Sequence, residues 1–438
     1  MGVEKNSQLL KLFLDSLNSL KGDHINIGVL LNIDSLASSC LVVKSLELLS
    51  VSFSLKFFYN KNDLIDLCLD DSKNKIIVSS FIPEIIKGDC CISFSDSVCL
   101  FEYGKKVSDV KFDGCISITD NSFFVLKNIS ESIMKLYYLP LIVSIKNKSQ
   151  FSESISEYAL SENLIEKRDC FSLMGSVTRP LAKSFELSID PYIPNISNNE
   201  SEVLKFLSSG NLPDYKSSNL LSLSESQIHY LFESISSKVK DLESIGLISK
   251  KYILIKEEDF DPLKDLDEFN LFFESCIALR KPAIAIGRCI SPPNFKNRGI
   301  NIIKEFRLNI LRVLDWFYNK NNVVESDKVI SAIFSETIDP NLMPYCCRYI
   351  HSNFLKDSKK YLVFLADNDF GINCVIYHGK NKKDFRTSKF LESLSEDITL
   401  VEDASRYIFV KSSTLGSQAL LKTINSHLDG IKIEEINQ

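Results

Sequence analysis

Two aspartates, Asp34 and Asp96, stand where short apolar runs of strand length end, and they are the first residues to consider for hydrolytic chemistry. The equivalent positions around them carry weaker groups: Asn32, Ser79 and Ser80, Ser97 and Val98, and Asn147. Activating water with a pair of hard divalent cations takes several carboxylates and imidazoles, because the ligands must replace tightly held hydration shells. Serine and valine cannot stand in for imidazole, and two carboxylates at most cannot hold two metals. The structural reading of Asp34 is a helix N-cap, and that of Asp96 is a turn carboxylate. Cys90-Cys91 and Cys346-Cys347 are adjacent pairs, a poor spacing for zinc, with only His351 near the second.

These positions gain meaning from the elements that precede them. Residues 25–31, 51–59, 75–81, 91–96 and 139–145 read as strands, with an apolar stretch near Ile116, and residues 8–21, 34–50 and 121–136 as helices. Such alternation predicts a parallel sheet with helices on both faces, whose functional side chains gather at the carboxyl ends of the strands. Farther on, helices are expected at 200–207, 224–246, 302–318, 388–395 and 416–428, and strands at 361–367, 372–378 and 407–410. The acidic run 256–269 reads as a solvated surface loop, and Trp316 as core packing. The expected fold class is α/β: an N-terminal parallel-sheet domain (1–155), a connector and helical insertion (156–320) and a smaller C-terminal α/β domain (321–438).

Composition narrows the function. A chain of 438 residues is long for one core. A net charge of −6 argues against a surface built throughout for nucleic acid, although a local basic patch stays open. Twelve cysteines without regular spacing or a signal peptide point to a reducing compartment. No apolar run reaches the roughly 18 residues of a membrane span. A cytoplasmic, soluble protein is expected.

The segment "TRPLAKSFELSIDPYIPNIS" (178–197) holds three of the 12 prolines and seven apolar side chains, so it reads as a shaped connector that packs against something. Together with its flanks (162–176 and 198–210) and with "EFNLFFESCIALRKPAIAI" (268–286), it resembles the archaeal RecJ family of Asp-His-His (DHH) phosphoesterases. That family's pattern is matched by Thr178, Arg179, Pro180, Leu181, Lys183, Glu186, Asp190, Pro191, Ile193 and Pro194, while Asn195 replaces a glycine. The resemblance covers most of the chain and is weakest over 320–438.

The resemblance implies a DHH-type first domain and a DHHA1-like last one. It also implies a site of two divalent metals, usually manganese, acting on single-stranded nucleic acid. Carried over position by position, the ligands fall on Asn32, Asp34, Ser79 (or Ser80), Asp96, Ser97 and Val98, and the Asp-His-His triplet itself on Asp96-Ser97-Val98. We therefore expect a catalytically silent member with no cofactor, similar to the RecJ-derived subunit of the replicative helicase assembly. Its implied partners are the GINS complex and, through it, the MCM helicase, which would make it nucleoid-associated. Two alternatives stay open. One is a divergent Mn2+-dependent exonuclease or phosphodiesterase built on Asp34 and Asp96. The other is a single-stranded DNA binder using Arg179, Lys183 and Arg280.

Overall fold

Six strands form the sheet of the first part of the chain: β1 (Ile25–Leu30), β2 (Phe53–Phe58), β3 (Asn74–Val78), β4 (Cys90–Phe94), β5 (Val98–Tyr103) and β6 (Lys106–Lys111), in the order β2-β1-β3-β4-β5-β6. The first four are parallel, and β4, β5 and β6 follow one another antiparallel. β1 and β3 are central and almost wholly buried, which is why they read as unbroken apolar runs rather than alternating ones. Gly28 in β1 lets the helix Lys61–Leu69 come close, since a Cβ there would lie 2.6 Å from Leu67 Cδ2.

This computed structural model describes residues 24–430 except 71–73, 82–89, 96–97, 104–105, 112–116, 128, 145–149, 210–214, 237–247, 320–322, 357, 369–370, 379–397 and 404–405, together with Lys11 and Asp15. The expected helices 8–21 and 388–395 and the stretch up to Ile116 lie outside these residues, apart from Lys11 and Asp15.

Two expectations about the first part change. Residues 139–145 were expected as a strand, yet Tyr138–Ser144 is a helix packed on the helices Ile33–Leu48 and Leu266–Ala278, with Asn270 donating to the Ile142 carbonyl at 3.1 Å. A short segment buried on nearly every side looks alike in either conformation, so its apolar run could not decide. The hairpin β5-β6 extends the sheet beyond β4 instead. The helix expected over 121–136 is two, Ile118–Leu126 and Glu131–Met134, the second starting at Ser130, whose hydroxyl accepts from the Ser132 amide.

The chain divides into two compact units, residues 1–169 with 250–303, and residues 170–249 with 304–438. The stretch 156–320, expected as one connector, is thus shared between them. Its helices Leu266–Ala278 and Pro282–Ile290 belong to the first unit because they pack on the helix Ile33–Leu48.

In the second unit the proline-rich segment is interior. Leu181, Phe185, Leu187, Ile189, Tyr192, Ile193 and Ile196 are all buried. Asn353 clamps the segment, accepting from the Tyr192 amide at 2.6 Å and donating to the Ile189 carbonyl at 2.9 Å. Arg307, fully buried, donates to the carbonyls of Leu187 and Met174. Asn195, where the RecJ pattern has glycine, has φ +62°, a left-handed conformation that asparagine tolerates better than most residues. The second sheet runs β13 (Ile398–Asp403), β14 (Tyr407–Ser412), β12 (Gly371–Tyr377), β11 (Tyr361–Asn368), β10 (Val329–Phe334), β9 (Val323–Glu325). One of its faces is covered by Leu420, Ile424 and Leu428 of the helix Ser417–Gly430. Trp316 is core, edge-on to Phe334 at 5.1 Å.

The acidic run 256–269 is solvated only in its first half, where Lys256, Glu258, Asp259 and Phe260 are exposed; the second half is largely buried. Asp261, Asp265 and Glu268 are buried, Asp265 pairs with the fully buried Lys251 at 2.6 Å, and Asp261 takes a two-pronged contact from Arg288 at 2.8 Å. Burial pushes the Asp265 carboxyl up to about 6 despite Lys251, whereas Asp265, Asp267 and Glu268 together outweigh burial and hold the Lys251 ammonium above its ordinary range. Removing the cation alone strands a carboxylate in the interior. Lys251→Met is expected to cost about 3–5 kcal/mol, measured by urea unfolding at neutral pH; the pair is not structural in this sense if the midpoint does not move.

Candidate functional site: the carboxyl edge of the first sheet

β1, β3 and β4 lie side by side and parallel, with Val29 opposite Val78 and Val78 opposite Phe94, so the residues that follow them share one edge of the sheet. Asn32, Asp34 and Ser79 are brought together on that edge. Asp96 and Ser97 lie outside the described residues, as does Asn147, and Val98 opens β5.

Asn32, Asp34 and Ser79 are each engaged with the protein itself, whereas Ser80 is exposed. Asn32 is the N-cap of the helix Ile33–Leu48, its Oδ1 accepting from the Ser35 amide at 2.7 Å. The cap expected at Asp34 is therefore made two residues earlier. Asp34 serves a different helix: its Oδ2 accepts from the Ile118 amide at 2.8 Å, and its Oδ1 from the Thr119 amide at 2.8 Å and hydroxyl at 2.6 Å. Ser117 Oγ takes the Asp120 amide at 2.9 Å and the Ser117 carbonyl the Asn121 amide at 3.2 Å. The amides of Ile118, Thr119 and Asp120, the orphan donors of the first turn of the helix Ile118–Leu126, are then all satisfied. Asp34 also sets a negative charge at the positive end of that helix's dipole. Ser79, fully buried, donates its hydroxyl to the Phe81 carbonyl.

Manganese, implied by the family resemblance, does not fit the side chains described here. Asp34 Oδ1 already accepts from the Thr119 amide and hydroxyl, and Asp34 Oδ2 and Asn32 Oδ1 from one backbone amide each, so a cation here would compete with those donors. Among the described residues no three His, Cys, Asp or Glu side chains are arranged to hold a metal ion. The first unit carries one histidine in its sequence, His24, which precedes β1 and whose ring meets Ser52 Oγ at 2.9 Å.

The three cations expected to face nucleic acid fall in both units. In the second, Arg179 lays its stem over Gly175, where a Cβ would lie 2.8 Å from Arg179 Cδ, and Lys183 pairs with Glu186 at 2.6 Å and Glu200 at 3.2 Å. Glu186 first, then Glu200, hold the Lys183 ammonium above its ordinary range. In the first, the exposed Arg280 stacks 3.9 Å above the Tyr59 ring. Sequence reading missed Tyr59, Lys61 lying 5.2 Å over the Phe81 ring, and Thr119. Tyr59 directly follows β2 and Phe81 comes three residues after β3; Thr119 carried no signal beyond the Ser117-x-x-Asp120 spacing of a helix start.

Residues 173–220 match the DHH-CID domain family model. No curated protein matches the sequence. Among solved structures, CDC45 from Entamoeba histolytica superposes with a TM-score of 0.66 at 10% identity over 97% of this chain and 98% of that one. Exonuclease RecJ bound to manganese superposes with a TM-score of 0.52 at 7% identity, over 98% and 96%. The chain thus has the RecJ-like DHH fold, with a DHH-CID domain at 173–220. Within that class its fold is CDC45-like.

The role of Asp34 makes a graded prediction. Asp34→Ala should cost about 2–3 kcal/mol and accelerate amide exchange at Ile118 and Thr119, while Asp34→Asn, which keeps acceptor capacity and loses charge, should cost about 1 kcal/mol. Unchanged exchange in Asp34→Ala would show that the carboxylate does not hold the helix.

Proposed function

We propose that the protein is a non-catalytic DNA replication factor, a RecJ-like scaffold that binds the GINS complex and, through it, the MCM helicase. The observation that carries the reading is the engagement of Asp34, the one of the two candidate carboxylates that is described: it gives both oxygens to the N-terminus of a neighbouring helix, a structural task in place of a catalytic one. The CDC45-like fold and the RecJ-type segment 178–197 support a role in which partners are held in geometry and no bond is made or broken. The chemistry of the edge is recognition: a helix start, buried serines and, close by, a stacked cation–aromatic pair. Arg280 over Tyr59 favours a weak, salt-sensitive contact with single-stranded DNA as an accessory to that role.

Purified chain mixed with purified GINS should co-migrate on a sizing column at micromolar concentration, and manganese should elicit no shortening of a labelled single-stranded oligonucleotide. Separate migration counts against the scaffold. Manganese-dependent shortening that disappears in Asp34→Ala or Asp96→Ala would replace it with the nuclease reading.

A further inference from the structure

Two guanidiniums, two imidazoles and a phenol meet at one end of the second sheet. Arg348 and His351 stand three residues apart on one face of the helix Met343–Phe354, which packs on β11 and β12. The His351 ring lies 5.5 Å from the ring of Tyr377, the last residue of β12. The next residue, His378, has its ring 4.8 Å from that of Tyr361 in β11, and its amide donates to the carbonyl of Arg406, just before β14, at 2.9 Å. Arg348, His351, Tyr377, His378 and Arg406 all belong to the second unit. Arg406 is exposed, and Arg348, His351 and His378 are half-buried, so water reaches the cluster.

Two observations set this end of the sheet apart from an ordinary solvated face. His351 Nε2 is buried and has no hydrogen-bond partner among the described residues, a costly state for a polar atom unless something meets it. The charges acting on the cluster also share one sign. Burial first, then His378 and Arg406, hold the His351 imidazole below its ordinary range, and burial pushes the Tyr377 phenol up although Arg406 and then Arg348 pull the other way. Of the described carboxylates at this end of the sheet, Glu325 is taken by Lys360 at 2.7 Å and Asp327 stands beside Lys328, while Lys356 and Lys359 are exposed.

We propose that this end of the second sheet binds a phosphate dianion, free or carried as a monoester, between the two guanidiniums and the two imidazoles. The choice of anion follows from the number of donors. Arg348, Arg406, His351, His378 and the Tyr377 hydroxyl offer more N–H and O–H groups than the two oxygens of a carboxylate can take, whereas a phosphate turns three or four oxygens towards them. Its charge also reverses the field at His351 and favours an imidazolium that donates through Nε2. A cationic ligand would add to like charge, and an apolar one would leave Nε2 without a bond. The site uses none of the residues of the first sheet's carboxyl edge and does not depend on the replication reading.

The test titrates the full chain at slightly alkaline pH, where phosphate is a dianion, with inorganic phosphate and with N-acetyl-phosphoserine amide. Sodium chloride at matched ionic strength and acetate are the controls, and the histidine ring resonances are the readout. Saturable shifts of the His351 and His378 rings are expected with a phosphate affinity on the order of millimolar, acetate being about tenfold weaker or more. Arg406→Gln and Arg348→Gln should each weaken phosphate by about tenfold, whereas Lys422→Gln, elsewhere on the same unit, should leave it unchanged. Bound phosphate should also raise the pH at which His351 titrates. Equal binding of the monoester assigns a phosphate carried on another molecule, and binding of inorganic phosphate alone assigns the free ion. The proposal is overturned if the shifts follow ionic strength alone, if acetate binds as well as phosphate, if neither phosphate compound saturates, or if Arg406→Gln keeps full affinity.

Discussion

A helix cannot begin at a buried sheet edge unless something accepts its first amide hydrogens, and here Asp34 does so across 84 residues of sequence. That contact fixes the rest of the edge. It docks the helix Ile118–Leu126 against the helix Ile33–Leu48, where Ser38 and Ser122 meet hydroxyl to hydroxyl and Asn121 donates to the Ser95 carbonyl at 2.7 Å. In a two-metal hydrolase a carboxylate at this place faces a cation. Here that negative charge faces the positive end of a helix dipole.

The second unit is ordered around its DHH-CID segment by a different device. Backbone carbonyls and amides of a proline-rich chain have few partners of their own, because prolines remove donors and prevent regular pairing. Side chains from elsewhere in the unit supply them: Arg307 reaches the carbonyls of Leu187 and Met174, and Asn353 brackets Ile189 and Tyr192, while Asp315 adds bonds to the side chains of Tyr192 and Asn198. A frame held by so many directed bonds retains its form when the residues once set within it change.

Much of this was legible in the sequence where one principle acted alone. The strands β1 and β3, the helix Ile33–Leu48 and the buried side of 178–197 followed from periodicity and apolar content. Readings failed where tertiary context decided. Tyr138–Ser144 is helical because helices surround it. Asp265 and Asp261 are buried because Lys251 and Arg288, on other elements, meet them. That Asn32 and Ser79 are weak metal ligands could be read directly from residue type. The reassignment of Asp34 to a helix beginning at Ile118 could not, since no local pattern records a partner so far along the chain.

The account rests on Asp34 being spent on that helix. Crystals soaked in manganese and measured at its absorption edge test this most directly. The account predicts no anomalous peak at the edge formed by Asn32, Asp34 and Ser79, with the contacts from Asp34 to Ile118 and Thr119 intact. An ordered manganese ion bound by Asp34, with those contacts broken, would contradict it.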